Sequence, residues 1–284
     1  MTERHDPIAE HRRTRAALAE TADRLVRLLR DTRGLGSPRA LPAWSAPDVG
    51  AHVAAVFLVY CSSVSPEETV DWDRILPEAE LPFGPRMAVV NGRAVTMIKE
   101  QIGGDSADFI AERADRFLRA TADLDLEAPV ATPWYGPDPA LTVAASTGLL
   151  LSECLMHGLD IARATGRPWR IDPDHARLVI GQALTTMMPL ALDRVAARDA
   201  DLVLDLAVRG GPRLYLTFRD ATLTVTRDAP LRTPDCRIST DPVTFLMVAF
   251  HRTPQWRAIA LGRLRASGRR PWLAPRLTRL VPAP

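Results

Sequence analysis

The apolar residues of this chain keep one period for about 200 residues and another thereafter. Up to about residue 198 they recur at helical spacing: Leu18, Leu25, Leu28 and Leu29 share one face of a segment over 8–32. From Leu202 the spacing is two. Leu202, Leu204 and Leu206 alternate with Val203 and Asp205, Gly210-Gly211 supplies a hairpin turn, and 214–218 and 223–226 follow as strands. A chain that switches from one period to the other must segregate its helices from its strands. The fold class expected is α plus α+β: a four-helix bundle over residues 1–170, then a smaller α+β domain over 171–284.

Punctuation along the chain places the elements. Gly34-Leu35-Gly36-Ser37-Pro38 stops the first helix; without a preceding strand or a third glycine it is not a dinucleotide loop. Ser45 caps a second helix running to about Ser63, with Asp48 at the capping-box position. A loop rich in Pro and acids spans 64–85, and a third helix covers about 87–122, with a break expected at Gly103-Gly104. A fourth begins after 129–139 and ends at Gly166, just before Arg167-Pro168. A fifth runs over 173–198, started by Asp172 or Asp174. Past the hairpins, Cys236 to Ser239 reads as a strand and Thr240-Asp241-Pro242 as a helix cap. Gly262 to Gly268 reads as a last strand, followed by a terminal helix near 272–281.

Charge and cysteine content remove several classes. With 36 basic and 34 acidic residues the chain is nearly neutral, and its bases are arginines save for Lys99. Eight arginines and no acid follow Asp241, which disfavours a uniformly basic nucleic-acid binder and leaves a local anion-facing surface open. No apolar stretch approaches the roughly 20 residues of a membrane span. The polar amino terminus does not read as a secretory leader. Cys61, Cys154 and Cys236 are far apart and form no C-x-x-C pair, as expected of a protein of the reducing cytoplasm. Ser62-Ser63 lacks the surroundings of a hydrolase nucleophile.

The chemistry-bearing segment is the fourth helix, Leu149-Leu150-Leu151-Ser152-Glu153-Cys154-Leu155-Met156-His157-Gly158-Leu159-Asp160-Ile161-Ala162. Its apolar residues surround nearly the whole circumference, so it is expected to be buried on most sides. Glu153 and His157 lie one turn apart, and Asp160 continues the stripe. A carboxylate inside a bundle is costly unless paired, protonated or metal-bound, so a hydrogen-bonded pair and a divalent-cation site both fit. Among the other histidines, His5 and His11 fall on a first helix expected to be exposed, His175 at a helix start, and His251 in the basic tail. His52, in Val49-Gly50-Ala51-His52-Val53-Ala54, belongs to an apolar helix; taken alone it reads as a core histidine. Cys154 lies about 100° around the helix from Glu153 and reads as core.

Two motifs carry a resemblance. Trp44-Ser45-Ala46-Pro47-Asp48-Val49-Gly50-Ala51-His52 resembles the tryptophan-led second-helix motif of mycothiol-dependent maleylpyruvate isomerases. Residues 153–162 resemble their E-x-x-x-H-G-x-D-h-A motif, with Leu159 where the family commonly has Trp. The resemblance implies a DinB-like bundle followed by a sterol-carrier-like domain. It also implies a divalent metal, zinc in the first place, held by His52, Glu153 and His157, and mycothiol as cosubstrate. Asp160 would orient a ligand imidazole, or pair with Arg163 on the helix surface. The function implied is activation of the thiol as a metal thiolate that adds to an electrophilic, anionic small molecule. Maleylpyruvate-type isomerisation and S-transfer both answer to it. The resemblance further implies an arginine from the carboxy-terminal domain, without saying which. Two rival readings remain: a non-catalytic carrier of lipid or a small molecule with a structural metal, and a membrane-surface attachment through the basic tail with Trp256 and Trp272.

Overall fold

The computed structural model describes residues 6–103, 105–137 and 140–282. The chain divides into two compact units, Met1–Ile171 and Asp172–Pro284.

Helices make up most of the first unit. Helix α1 spans Pro7–Asp31, with the Asp6 carboxylate accepting from the Ile8 and Ala9 amides. Helix α2 spans Ala46–Ser62, and the capping box is complete: Ser45 accepts from the Asp48 amide and Asp48 from the Ser45 amide. After a short α3 (Trp72–Ile75), the helix expected over 87–122 is two helices, α4 (Phe83–Ile102) and α5 (Ser106–Ala120). Gly103 ends α4 at φ +60°, a left-handed conformation that suits glycine, and Asp105 caps α5. A two-stranded antiparallel ribbon, β1 (Pro129–Ala131) with β2 (Ala140–Thr142), leads into α6 (Val143–Thr165). Gly166 closes α6 at φ +66°, the expected position.

The bundle is formed by α1, α2, α5 and α6, with α1 and α2 each packed on both α5 and α6. Helix α4 lies against α2 and α3 instead. One of the four bundle helices is therefore the part of the 87–122 segment that follows its expected break. The part before the break is freed to pin a loop: Arg86 on α4 donates to the carbonyls of Trp134 at 2.8 Å and Pro133 at 2.9 Å. Helix α1 is less exposed than its charge suggested, and His11 is buried with Thr14 and Leu18 on the inward stripe. His5 lies outside the described residues.

The second unit is a sheet with helices. The helix expected over 173–198 is shorter and irregular: α7 (Pro173–Val179), a wide turn over Ile180–Leu184, then α8 (Thr185–Leu190). Pro189 falls in the last turn, and the chain leaves helix eight residues early. Strands β3 (Leu202–Val208), β4 (Arg213–Arg219), β5 (Thr222–Thr226), β6 (Cys236–Thr240) and β7 (Leu264–Ser267) form one sheet in the order β5-β4-β3-β6-β7. Only β3 and β6 pair in parallel. Between them the chain passes through β4 and β5. Helix α9 (Pro242–Ala249), capped by Asp241, and α10 (Gln255–Ala260), which the sequence did not announce, separate β6 from β7. A short tight helix over Pro271–Arg276 and α11 (Leu277–Leu280) complete the described chain. Among the described residues no helix is long and apolar enough to cross a membrane.

Candidate metal centre

Helices α2 and α6 pack side by side, and each turns its chemistry toward the other. Both are apolar on nearly every face, so a polar side chain carried inward must find a partner there. His52 from α2 meets Glu153 from α6, with His52 Nε2 3.2 Å from Glu153 Oε2. His157, one turn along α6, places its Nε2 3.1 Å from the same oxygen. The two imidazoles stand edge to face, with ring centroids 4.9 Å apart at 82°. One donor atom from each of the three residues lies within 4.8 Å of the others, and this is the one such cluster of potential metal ligands among the described residues.

The surroundings fix these side chains. Asp160, 4% exposed, lies 3.1 Å from His157 Nδ1. An imidazole whose Nδ1–H is held by Asp160 would, once Nε2 gives up its proton, turn that nitrogen's lone pair toward Glu153 and His52. The Trp44 ring lies 4.9 Å from the His52 ring, tilted by 38°. Gly158 lets Trp169 close over α6: a Cβ there would come within 2.2 Å of the indole, whose Nε1 donates to the Leu155 carbonyl at 3.0 Å.

Electrostatics follow from this packing. Burial opposes the charge on Glu153, but hydrogen bonds from His157 and His52 overcome it and hold the carboxyl well below the usual carboxylate range. Burial likewise opposes a charge on His157, yet its bonds to Asp160 and Glu153 raise its pKa to about 9. Two imidazole nitrogens and one carboxylate oxygen suit zinc among divalent cations, and three protein donors leave a coordination position for a ligand. Cys154, by contrast, is fully buried and its thiol is pushed upward by burial, as befits a core residue.

An aromatic wall adjoins the centre; of its members the sequence offers Trp134-Tyr135-Gly136, just before α6, as a pocket mouth or equally as a loop anchor. Tyr60, two turns after His52 on α2, has its hydroxyl 3.1 Å from that of Tyr135. Burial, with the charge of Glu153 as a further contribution, raises both phenols, Tyr135 to about 12. Trp134 packs on Tyr60 and stacks on Trp72, and Phe83 stacks on Tyr135. The eight-residue spacing from His52 to Tyr60 was the available sequence signal. Nothing local marks Phe83 or Trp72, which arrive from distant segments. His251 is exposed and His175 partly exposed, and both belong to the second unit.

Comparisons with known proteins bear on the fold and the family. A crystal structure of a mycothiol-dependent maleylpyruvate isomerase superposes with a TM-score of 0.51 at 14% identity, over 90% of this chain and 92% of that one. A mutant of that isomerase gives 0.49 at 14% identity, over 93% of each chain. No curated protein sequence matches the chain. The family model for the mycothiol maleylpyruvate isomerase N-terminal domain matches residues 15–162, more than half of the 284 residues, from within α1 through most of α6. The chain belongs to the mycothiol maleylpyruvate isomerase family.

Proposed function

We propose that the protein is a metal- and mycothiol-dependent enzyme that adds a thiol to an electrophilic small molecule. The observation that carries this reading is the convergence of His52, Glu153 and His157 on one point, with Asp160 behind His157. These three side chains would hold a divalent cation, zinc by the donor set. A cation held there supplies Lewis acidity, which lowers the pKa of a thiol from its free value of roughly 8.5.

The protein's own groups do the rest. Glu153 offers negative charge to the cation, and His52 and His157 offer neutral nitrogens, so part of the cation's charge remains to attract an anionic sulfur. Asp160 keeps the Nδ1 proton of His157 in place, which fixes the tautomer and the ring's aim. The wall of Tyr60, Trp134 and Tyr135 supports an enclosed, largely apolar setting, in which charge interactions are stronger than in water. A thiolate adding to a conjugated double bond converts it to a single bond; rotation and elimination then give isomerisation, whereas retention of the adduct gives S-transfer. Both outcomes need the same thiol activation.

The test is a thiol assay on purified protein. Loss of free mycothiol or return of the trans isomer with a maleylpyruvate-type substrate, abolished by chelation and restored by zinc, is the expected result. Zinc-loaded protein that leaves thiol and electrophile unchanged while co-purifying with lipid would replace this reading with that of a carrier.

A further inference from the structure

The sheet of the second unit has an apolar face and a polar face. Leu204, Leu206, Leu214, Leu216, Phe218 and Ile238 point to the first and are buried. On the second, the strand register sets four polar or aromatic residues abreast. Tyr215 is opposite Asp205, Asp205 opposite Arg237, and Arg237 opposite Ser267, across β4, β3, β6 and β7. Arg213, two residues before Tyr215, projects from the same face.

Asp205 organises this row. It is 3% exposed, and both its oxygens are engaged. Arg213 donates to it from Nε at 2.8 Å and Nη2 at 2.7 Å, a two-pronged contact, and Arg237 Nε lies 2.9 Å from Oδ2. One carboxylate thus aligns two guanidinium groups and leaves an excess of one positive charge. Those side chains are 50% and 46% exposed, and among the described residues neither meets a second carboxylate. Each guanidinium has five N–H donors, most of which Asp205 does not take. The Arg213 guanidinium also lies 5.3 Å from the Tyr215 ring centroid, which fixes its plane further.

A concavity of about 320 Å³ opens at this place, lined by Arg213, Arg237 and Tyr215 and walled by Pro230, Pro234 and Gly268. Gly268, at φ +103°, brings the backbone close to the floor, a conformation few other residues adopt. The volume is that of a small-ligand site. Two aligned guanidiniums match the paired oxygens of a carboxylate, and two prolines with a tyrosine ring match a flat apolar body. We infer that this concavity binds a small aromatic or similarly flat carboxylate, held by Arg213 and Arg237. Neither arginine is among the eight that follow Asp241, and every residue of the site belongs to the second unit.

Titration calorimetry of the full chain with benzoate at low salt tests the assignment. Saturable binding at one site is expected, weakened at least tenfold in the Arg213→Gln/Arg237→Gln double variant. In a His52→Ala variant the affinity should be unchanged, which separates this site from the metal centre. Inorganic phosphate, which lacks the flat body, should bind at least tenfold more weakly than benzoate. Should the double variant not fold, Arg237→Gln alone removes a single contact to Asp205 and is expected to weaken benzoate at least threefold. The inference is overturned by the absence of saturable binding, by equal affinity in the arginine variants, by loss of binding in His52→Ala, or by phosphate binding as tightly as benzoate.

Discussion

Glu153 in the bundle and Asp205 in the sheet are both acids drawn away from water, and their neighbours answer them with different chemistry. Glu153 faces two imidazoles, groups that can give up their protons and turn a lone pair to a cation. Asp205 faces two guanidiniums, which stay protonated and have no lone pair to offer. The first arrangement can exchange its protons for a metal ion; the second can only align positive charge. The supports differ as well. Two helices from distant parts of the chain bring His52 to Glu153, whereas neighbouring strands bring Arg213 and Arg237 to Asp205 by register alone. A buried acid is therefore not by itself a sign of a reactive centre. The ability of its partners to change protonation is what distinguishes the two.

The largest expected effect separates the two acids directly. Zinc at about 100 times its dissociation constant should stabilise the wild-type protein by about 2.7 kcal/mol. Glu153→Gln should lose that shift, read as the change in thermal midpoint on adding zinc. Asp205→Asn should keep the shift while costing about 1–2 kcal/mol of stability without zinc, once the solvent exposure of both arginines is allowed for. Equal zinc shifts in the two variants would erase the distinction.

Next in size is Asp160→Asn. It keeps the shape but weakens the hold on the Nδ1 proton of His157, and should cost about 10–100-fold in zinc affinity by competition with a chromophoric chelator. An unchanged affinity would leave Asp160 without a part in aiming the imidazole.

The smallest effect concerns protons. In the metal-free protein His157 has a pKa raised to about 9, above its unfolded value near 6.5. Its contribution to stability is thus fully present below about pH 6.5 and is lost as pH rises through 9. Zinc uptake at pH 7.5 must then displace close to one proton, measurable as a dependence of binding heat on the buffer's ionisation enthalpy. Benzoate binding at the sheet should release none. Zinc uptake without proton release would contradict the placement of His157 among the ligands.

Much of this was legible in the sequence. The capping box at Ser45 and Asp48, the stop at Gly166 and the one-turn step from Glu153 to His157 are local patterns, and local geometry obeyed them. His52 is different in kind: nothing within α2 separates a ligand from a core histidine, and only a motif shared across a family pointed to it. What stayed hidden depended on long-range packing. The partition of α4 from the bundle depends on which helix α2 accepts as a neighbour. His11 looked solvent-facing because Arg12 and Arg13 stand beside it, although Thr14 and Leu18 continue its inward stripe. The helix after Pro173 ended early because Pro189 and the wide turn before it weaken the hydrogen-bond ladder. The row on the polar sheet face requires the parallel pairing of β3 with β6, which no hairpin signal encodes.

The central claim is that His52, Glu153 and His157 hold one metal ion for thiol chemistry. Elemental analysis of the purified wild-type protein beside His52→Ala and Glu153→Ala variants tests it most directly. Close to one zinc per chain in the wild type, falling to background in both variants while helix content is kept, is the expected result. Near-stoichiometric metal that persists undiminished in both variants would contradict it.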